Sequence, residues 1–209
     1  MKFPPHFFVT GTDTGVGKTM VCAVLMAGLP AAYWKPVQSG LEEITDAEWV
    51  RRATGLPDSH FIPEAYRLRH PLSPHAAAAL DGVHIELERF HLPTLPTSTH
   101  LIVEGAGGIM VPLNAEHTML DLMKHLGLPT LLVARSTLGT INHTLLSLEQ
   151  LQRHQVEILG VVINGPRNSG NRDAIQHYGR VSVLAEIEPL NPLEKRDLRS
   201  VFASCFGEV

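Results

Sequence analysis

A glycine-rich segment near the start of the chain has the residue types that bind a phosphate chain. It follows an apolar run at residues 6–10, precedes an apolar stretch at 18–29, and reads Gly11-Thr12-Asp13-Thr14-Gly15-Val16-Gly17-Lys18-Thr19. Such a turn lets backbone N–H groups point into one concavity, and the helix that follows adds its positive N-terminal end. Lys18 supplies a charge for the β- and γ-phosphates, and the Thr19 hydroxyl can bind Mg²⁺. The segment therefore predicts a nucleotide site.

The loop departs by one residue from the common phosphate-loop spacing. Five residues separate Gly11 from Gly17, because Thr12 stands where the first glycine of the common pattern would be. A purely structural strand–turn–helix unit is the alternative. The apolar strand before the loop and the apolar helix after it favour nucleotide binding.

A carboxylate, Glu104, follows the apolar run at residues 101–103 and precedes Gly105-Ala106-Gly107-Gly108. An acid at the tip of a central strand, beside small residues that admit phosphate, is suited to holding Mg²⁺, which prefers one or two carboxylates with hydroxyl, water and phosphate oxygens. A solvated acid at a flexible turn is the alternative. We predict that the strand ends at Glu104.

Lys35 follows the apolar run at residues 31–34 in the same way. Pro36 restricts the backbone beside it, so the lysine is held in one direction. A second lysine near the γ-phosphate would neutralise charge that develops during phosphoryl transfer. On position alone, an ordinary surface lysine is nearly as good an interpretation.

Asp46 lies at the predicted start of a helix, where the helix dipole favours an acid whether or not it binds anything. Spacing alone does not identify it as a ligand. The twelve histidines form no His-x-x-x-His or His/Cys cluster, so we predict no zinc site.

The elements that must position these residues form an alternating pattern of strands and helices. The predicted strands are residues 6–10, 31–34, 101–103, 130–134, 158–163 and 181–184, and the predicted helices include 18–29, 119–126 and 140–154. Continuous apolar strands are buried on both faces, which predicts a doubly wound, mostly parallel α/β sheet of the phosphate-loop NTPase kind with helices on both faces. Functional residues of such sheets gather at the carboxyl ends of the strands. Residues 56–96 are the least regular part.

Composition limits the function classes. The chain has 209 residues, 44% apolar and 18% charged, with a net charge of −4. This predicts one domain spanning 1–209 and excludes a disordered chain and a broadly basic nucleic-acid binder. The longest apolar run, at 20–34, is broken by Gly28 and Pro30, and no secretory signal is evident, so we expect no membrane span. With two cysteines and no metal motif, we expect a cytoplasmic protein.

Six motifs together resemble the dethiobiotin synthetase family over residues 6–190. In chain order they are Gly11-Thr12-Asp13-Thr14-Gly15-Val16-Gly17-Lys18-Thr19, Lys35-Pro36-Val37-Gln38-Ser39-Gly40, Ser73-Pro74-His75, Val103-Glu104-Gly105-Ala106-Gly107-Gly108, Leu138-Gly139-Thr140-Ile141-Asn142-His143 and Val162-Ile163-Asn164-Gly165. The resemblance implies a ligase that uses ATP and Mg²⁺ to join CO₂ to 7,8-diaminopelargonic acid and close a cyclic urea. It also implies a homodimer whose substrate site is shared across subunits.

The resemblance also implies roles for single residues. Thr19, Asp46 and Glu104 correspond to the Mg²⁺ ligands. Lys18 and Lys35 correspond to the residues that stabilise the transferring phosphoryl group, and Ser39 to one that binds the substrate. The nucleotide site would comprise Gly15, Val16, Gly17, Lys18, Thr19, Met20, Asp46, Glu104, Gly105, Ala106, Gly107, Asn164 and Gly165, with Asn164 reading the adenine edge.

The segment Thr140-Ile141-Asn142 corresponds to the family's contact with the diamine carboxylate, made from the neighbouring subunit. The free N–H groups at a helix start suit a carboxylate, although an ordinary helix cap has the same residues. No base contact is assigned within residues 185–209.

Two other ATP-dependent classes are alternatives. Partitioning or metallochaperone switches of the same broad fold commonly carry an additional lysine at the start of the phosphate loop, where this chain has Gly11-Thr12-Asp13. Amide-forming synthetases of cofactor pathways share the loop but typically carry a glutaminase domain, for which we expect no room.

Overall fold

The fold is built on a seven-stranded sheet in which every strand pair is parallel. The computed structural model describes residues 2–97, 99–189 and 197–207. The strands are β1 (His6–Gly11), β2 (Ala31–Trp34), β3 (Val37–Ser39), β4 (Phe61–Ile62), β5 (Tyr66–Leu68), β6 (His100–Gly108), β7 (Thr130–Arg135), β8 (Ile158–Asn164) and β9 (Val183–Ile187). The large sheet has the order β4-β2-β6-β1-β7-β8-β9, and β3 and β5 form a separate parallel pair. The predicted doubly wound α/β fold is confirmed.

Helices connect the strands and cover both faces of the sheet. They are α1 (Lys18–Gly28), α2 (Asp46–Thr54), α3 (Pro74–Asp81), α4 (Met119–Leu126), α5 (Thr140–Arg153), α6 (Ser169–Gly179) and α7 (Leu198–Phe206). Successive β1 residues face opposite layers: Phe7 and Val9 pack in the core that contains α1 and α7, and Phe8 packs in the core that contains α4. Burial on both faces explains why the strands read as continuous apolar runs.

Most predicted elements are confirmed to within a residue or two. The strand expected at 181–184 instead begins at Val183, because residues 181–182 form the bend that enters it. The irregular segment at 56–96 contains β4, β5 and α3, which we did not predict. Within the described residues, no helix is long and apolar enough to cross a membrane.

The expectation that the strand ends at Glu104 is wrong. β6 continues to Gly108, but its pairing with β1 shifts register: Val9 pairs with Glu104, whereas Gly11 pairs with Gly108. Residues 105–108 of β6 therefore lie opposite only residues 10–11 of β1, and this irregularity is a β-bulge. A bulge aims side chains differently from a regular strand, and this one lies where β6 passes the glycine-rich loop.

The register brings three chain segments to one edge of the sheet. Trp34 and Phe8 each pair with Val103, on opposite sides of β6. Lys35 and the loop after β1 therefore lie beside Glu104 of β6 at the carboxyl ends of β2 and β1, which is where α/β sheets hold their ligands.

Candidate active site

The glycine-rich loop wraps around the ammonium group of Lys18. Lys18 Nζ donates to the backbone oxygen of Asp13 across 3.1 Å, and the side chain is buried. Gly17 adopts φ 98° as it enters α1, and a Cβ there would lie 2.1 Å from Asn164 Nδ2. Only glycine fits both the backbone angle and this close approach. The loop conformation therefore depends on Gly17.

Glu104 lies at the centre of the buried polar groups. Its side chain is 1% exposed. Oε1 lies 2.9 Å from Thr19 Oγ1 and 2.9 Å from Lys35 Nζ, while Oε2 accepts a hydrogen bond from Tyr33 Oη across 2.8 Å. These contacts join groups from α1, β2 and β6.

Lys35 forms a second ion pair, with Asp46 at the first residue of α2. Lys35 Nζ lies 2.8 Å from Asp46 Oδ2, and Thr19 Oγ1 lies 2.7 Å from Asp46 Oδ1. Asp46 is held in place by its helix, whose start is closed by a capping box between Thr45 and Glu48. The structure therefore brings together Thr19, Asp46, Glu104 and the two lysines.

The two lysines experience opposite electrostatic environments. Burial would lower the pKa of Lys35, but the carboxylates of Glu104 and Asp46 outweigh it and raise that pKa. Burial lowers the pKa of Lys18, and neighbouring Lys35 adds to this effect against the opposing pull of Glu104. Burial would raise the pKa of Asp46, yet Lys35 and Thr19 hold it below its usual value.

These oxygens suit a magnesium ion. One hydroxyl, Thr19 Oγ1, lies within hydrogen-bond distance of both Asp46 and Glu104, so the three side chains present hard oxygen ligands to one point. Mg²⁺ prefers such a set, completed by water and phosphate oxygens. The Lys35 ammonium supplies the positive charge between the carboxylates here.

A cavity of about 660 Å³ opens beside this cluster. Its walls include Lys18, Lys35 and Ser39, and Ser39 Oγ is buried with no hydrogen-bond partner among the described residues. A buried hydroxyl of this kind is normally satisfied, so Ser39 is free to bind a ligand. A volume of this order accommodates a small-molecule ligand.

Sequence reasoning missed several residues around the cavity. Residues 71–74 form part of its wall, and the Ser73-Pro74-His75 motif had been noted without a role. The pairing of β3 with β5, extended by Gly40 N donating to Leu68 O, brings them there. Gln38 also lines the cavity, and its Oε1 accepts from the backbone N–H of Asp46. Nothing in the sequence pattern pointed to that contact.

Other predicted residues lie outside this cavity. Thr140, Ile141 and Asn142 begin α5 but do not line it. A second cavity of about 440 Å³ is lined in part by His143 and Leu146, which follow them on the same helix. Asn142 is exposed.

Only some of the residues predicted to bind the nucleotide line the main cavity. Asn164 Nδ2 donates to Val16 O, beneath the loop, and Gly165 packs against Ser136. Ala106 and Gly107 line the main cavity, as do Gly15, Gly17 and Thr19, whereas Gly105 packs against the Phe8 ring and Met20 against the core. Part of the segment 185–209, for which we assigned no base contact, lies outside the described residues.

Comparison with known proteins gives two kinds of match. Residues 6–197 match the family model described as an AAA domain. The ATP-dependent dethiobiotin synthetase BioD of Paramagnetospirillum magneticum is 55% identical over 183 residues, which cover 88% of this chain and 87% of that protein. The protein of the same name from Brucella ovis is 48% identical over 201 residues, covering 96% and 94%.

Solved structures show the fold alone. The MinC:MinD cell division protein complex of Aquifex aeolicus matches with a TM-score of 0.52 at 13% identity, covering 98% of this chain and 87% of that one. The cell division ATPase MinD of Pyrococcus furiosus matches with a TM-score of 0.51 at 16% identity, covering 97% of both chains. At these identities the likeness shows a shared fold.

Proposed function

The chain belongs to the ATP-dependent dethiobiotin synthetase family, and from this premise we propose that it uses ATP to carboxylate 7,8-diaminopelargonic acid and close the cyclic urea of dethiobiotin. The observation that carries the proposal is the convergence of Lys18, Lys35 and Glu104 on one cavity. A phosphate-binding lysine alone would suit any nucleotide switch. The additional buried Lys35 suits a site that transfers a phosphoryl group to a bound acceptor.

The proposed reaction has three steps. An amine of the substrate adds to CO₂ and loses a proton, giving a carbamate. A carbamate oxygen attacks the γ-phosphorus of ATP, forming a carbamic–phosphoric anhydride and releasing ADP. The second amine then attacks the carbonyl carbon, the carbon–oxygen bond to phosphate breaks, and the ring closes with loss of a proton. Activation is needed because phosphate leaves far more readily than an oxide.

We assign the charge-stabilising roles to Lys18 and Lys35. Lys18 is held by the loop where the β- and γ-phosphates would lie, and a lysine there neutralises their charge. Lys35 is buried between acids and the cavity, within reach of a carbamate held by the free hydroxyl of Ser39. Both lysines would act most strongly where negative charge builds up in the transition state.

Thr19, Asp46 and Glu104 are proposed to hold Mg²⁺, since their oxygens already lie together. When bound, the ion would supply positive charge that reduces the repulsion between the phosphate oxygens and the attacking oxygen. The backbone of Gly15, Val16 and Gly17 would surround the phosphates, followed by Met20 on α1. We further propose that Glu104, Gly105, Ala106 and Gly107 lie along the nucleotide, with Asn164 and Gly165 at the base.

We also propose that the active enzyme is a homodimer. Thr140, Ile141 and Asn142 lie away from the main cavity, so a contact with the substrate carboxylate would have to come from a second copy. Their surroundings support this, because the apolar side chains of Leu138 and Leu146 are exposed beside them. Large exposed apolar groups in one region are typical of an interface.

A cytoplasmic location accords with the proposal. The chain has two cysteines, both unpaired, which suits a reducing compartment. Its substrates would be the diamine, CO₂ and ATP, with no nucleic acid or membrane as partner.

The direct test is substrate-dependent phosphate release. Purified protein with ATP, Mg²⁺ and bicarbonate should release phosphate rapidly only after the diamine is added, and dethiobiotin should accumulate in equal amount. Equal turnover without the diamine would contradict the proposal and favour an ATP-driven switch.

A further inference from the structure

Tyr33 is a buried polar side chain that the proposed chemistry leaves without a role. It is fully buried on β2, and its ring lies beside Phe61 with the ring centroids 6.1 Å apart. Its hydroxyl donates to Glu104 Oε2 across 2.8 Å. The contact therefore joins a central strand to a residue proposed to hold the metal.

The sheet register explains how the hydroxyl reaches Glu104. Tyr33 pairs with Ile102, and Ile102 and Glu104 are two residues apart on β6. Alternate residues of a strand face the same side of a sheet, so Tyr33 and Glu104 share one face and lie diagonally across the two strands. A tyrosine side chain is long enough to span that diagonal.

The two oxygens of Glu104 are used differently. Oε2 accepts from Tyr33, whereas Oε1 faces Thr19 and Lys35 and hence the proposed metal site. Tyr33 is the donor in this contact, because a carboxylate oxygen can only accept. A carboxylate held at one oxygen by a fixed donor presents the other oxygen in a fixed direction.

Other groups near Glu104 do not replace this contact. Thr19 and Lys35 both meet the opposite oxygen and also contact Asp46. The Cys22 thiol also hydrogen-bonds the Glu104 side chain, but a thiol is a weak donor. The phenol is therefore the strong neutral donor on the side of Glu104 away from the metal site.

We infer that Tyr33 is a positioning residue, whose hydroxyl holds Glu104 so that a single carboxylate oxygen is presented to Mg²⁺. Hydrogen bonds to ligating carboxylates orient them, and loss of such a partner typically weakens metal affinity by about 10- to 100-fold. The inference rests on the proposed function for the assignment of Glu104 as a magnesium ligand.

The test replaces Tyr33 by phenylalanine, which removes the hydroxyl and keeps the ring. Calorimetric binding of an unhydrolysable ATP analogue is measured over a series of Mg²⁺ concentrations and in EDTA. For Tyr33→Phe we expect the Mg²⁺ concentration at half-saturation to rise about 10-fold or more. Binding in EDTA should stay within about twofold of the parent, because the phosphate loop is untouched.

Tyr66→Phe is the matched control. Tyr66 is also buried, and its hydroxyl accepts from the backbone N–H of Glu86, outside the cavity. The Tyr66→Phe protein should be less stable than the parent, and its Mg²⁺ concentration at half-saturation should equal that of the parent. A Tyr33→Phe enzyme whose Mg²⁺ half-saturation equals that of the parent would overturn the inference, whatever its melting temperature.

A second measurement needs no variant. A structure of the parent with Mg²⁺ and the same analogue should show Tyr33 Oη bonded to Glu104 Oε2, with Oε1 on the metal side. Glu104 using both oxygens on the metal would overturn the inference. A parent that binds Mg²⁺ with the analogue but shows no diamine-dependent phosphate release would reject the proposed function and leave the test of Tyr33 intact.

Discussion

Replacing Lys35 by methionine should destabilise the metal-free protein more than the loss of an ordinary lysine. The side chain is 6% exposed, and its ammonium lies 2.8 Å from Asp46 Oδ2 and 2.9 Å from Glu104 Oε1. Methionine keeps most of the aliphatic stem and removes the charge. Two neighbouring carboxylates would then be left without the cation that neutralises them.

The size of the effect follows from burial. Removing one partner of a buried ion pair typically costs about 3–5 kcal/mol. Glu104 is almost fully buried, but the Asp46 side chain is 31% exposed, so water relieves part of the cost. We therefore expect a loss of about 3 kcal/mol at the low end of that range. For a chain of this size, this corresponds to a melting temperature lower by about 6–12 °C.

Magnesium should reverse much of this loss. A divalent cation that binds the folded state alone stabilises it by about 2.7 kcal/mol when its concentration is 100 times its dissociation constant. In Lys35→Met the ion no longer competes with an ammonium for the same carboxylates. The difference in melting temperature between parent and variant should therefore shrink when Mg²⁺ and ADP are added.

Thermal unfolding in EDTA and in Mg²⁺–ADP measures both effects, and phosphate release measures the chemistry. Lys124→Met is the matched control, because Lys124 is exposed on α4 and should change the melting temperature by little. Lys35→Met should bind ATP yet lose most diamine-dependent turnover. A variant as stable as the parent in EDTA would refute the electrostatic reasoning, and unchanged turnover would refute the role in phosphoryl transfer.

Three further outcomes are expected. Asn142→Ala should raise the KM for the diamine and leave the KM for ATP within about twofold, because the start of α5 is proposed to bind the diamine carboxylate and not the nucleotide. The reverse pattern would contradict this proposal. Gly17→Ala should abolish ATP binding and lower the melting temperature more than Gly15→Ala does. Both positions have positive φ, but of the two only Gly17 has neighbouring atoms that a Cβ would clash with. Equal decreases in melting temperature would show that backbone strain alone matters. Asp121→Asn should cost about 1 kcal/mol at neutral pH, because Asp121 closes a capping box. Burial would raise the pKa of Asp121, but its hydrogen bonds from Thr118 hold that pKa below its usual value. The stabilisation is therefore present above the unfolded pKa and lost as the pH falls through the folded pKa. A difference from Asn that does not shrink as the pH falls would contradict this assignment.

The sheet was predictable because its strands are buried on both faces. β1 and β2 read as continuous apolar runs and lie where expected. β3 and β5 could not be predicted in this way, because strands of three residues that include polar side chains show no periodic pattern of apolar residues. The extension of β6 past Glu104 was also hidden, because a run of small residues predicts a turn, whereas β6 resumes its pairing with β1 at Gly108 after a shift in register.

The site was predictable where it follows from topology. Lys35 and Glu104 were selected because each stands at the end of an apolar run, and the pairing of β2 with β6 brings them within 2.9 Å. Asp46 was selected only through the family resemblance. Its position depends on a helix start that Gln38 reaches from another segment, and no local pattern encodes such a contact.

Lys18 and Lys35 show why burial and partners matter more than residue type at this site. Both are buried lysines on the same cavity, yet the pKa of Lys35 is raised and that of Lys18 is lowered. Lys35 already has two carboxylates, whereas the ammonium of Lys18 is bonded to a backbone oxygen of the loop. Within the described residues the carboxylates of the cluster pair with Lys35, and a phosphate chain at Lys18 would supply the charge that balances its ammonium. The arrangement favours binding of a phosphate chain at Lys18, and under the proposed function the carboxylates of Glu104 and Asp46 would balance the charge of Lys35 until an anionic carbamate binds beside it.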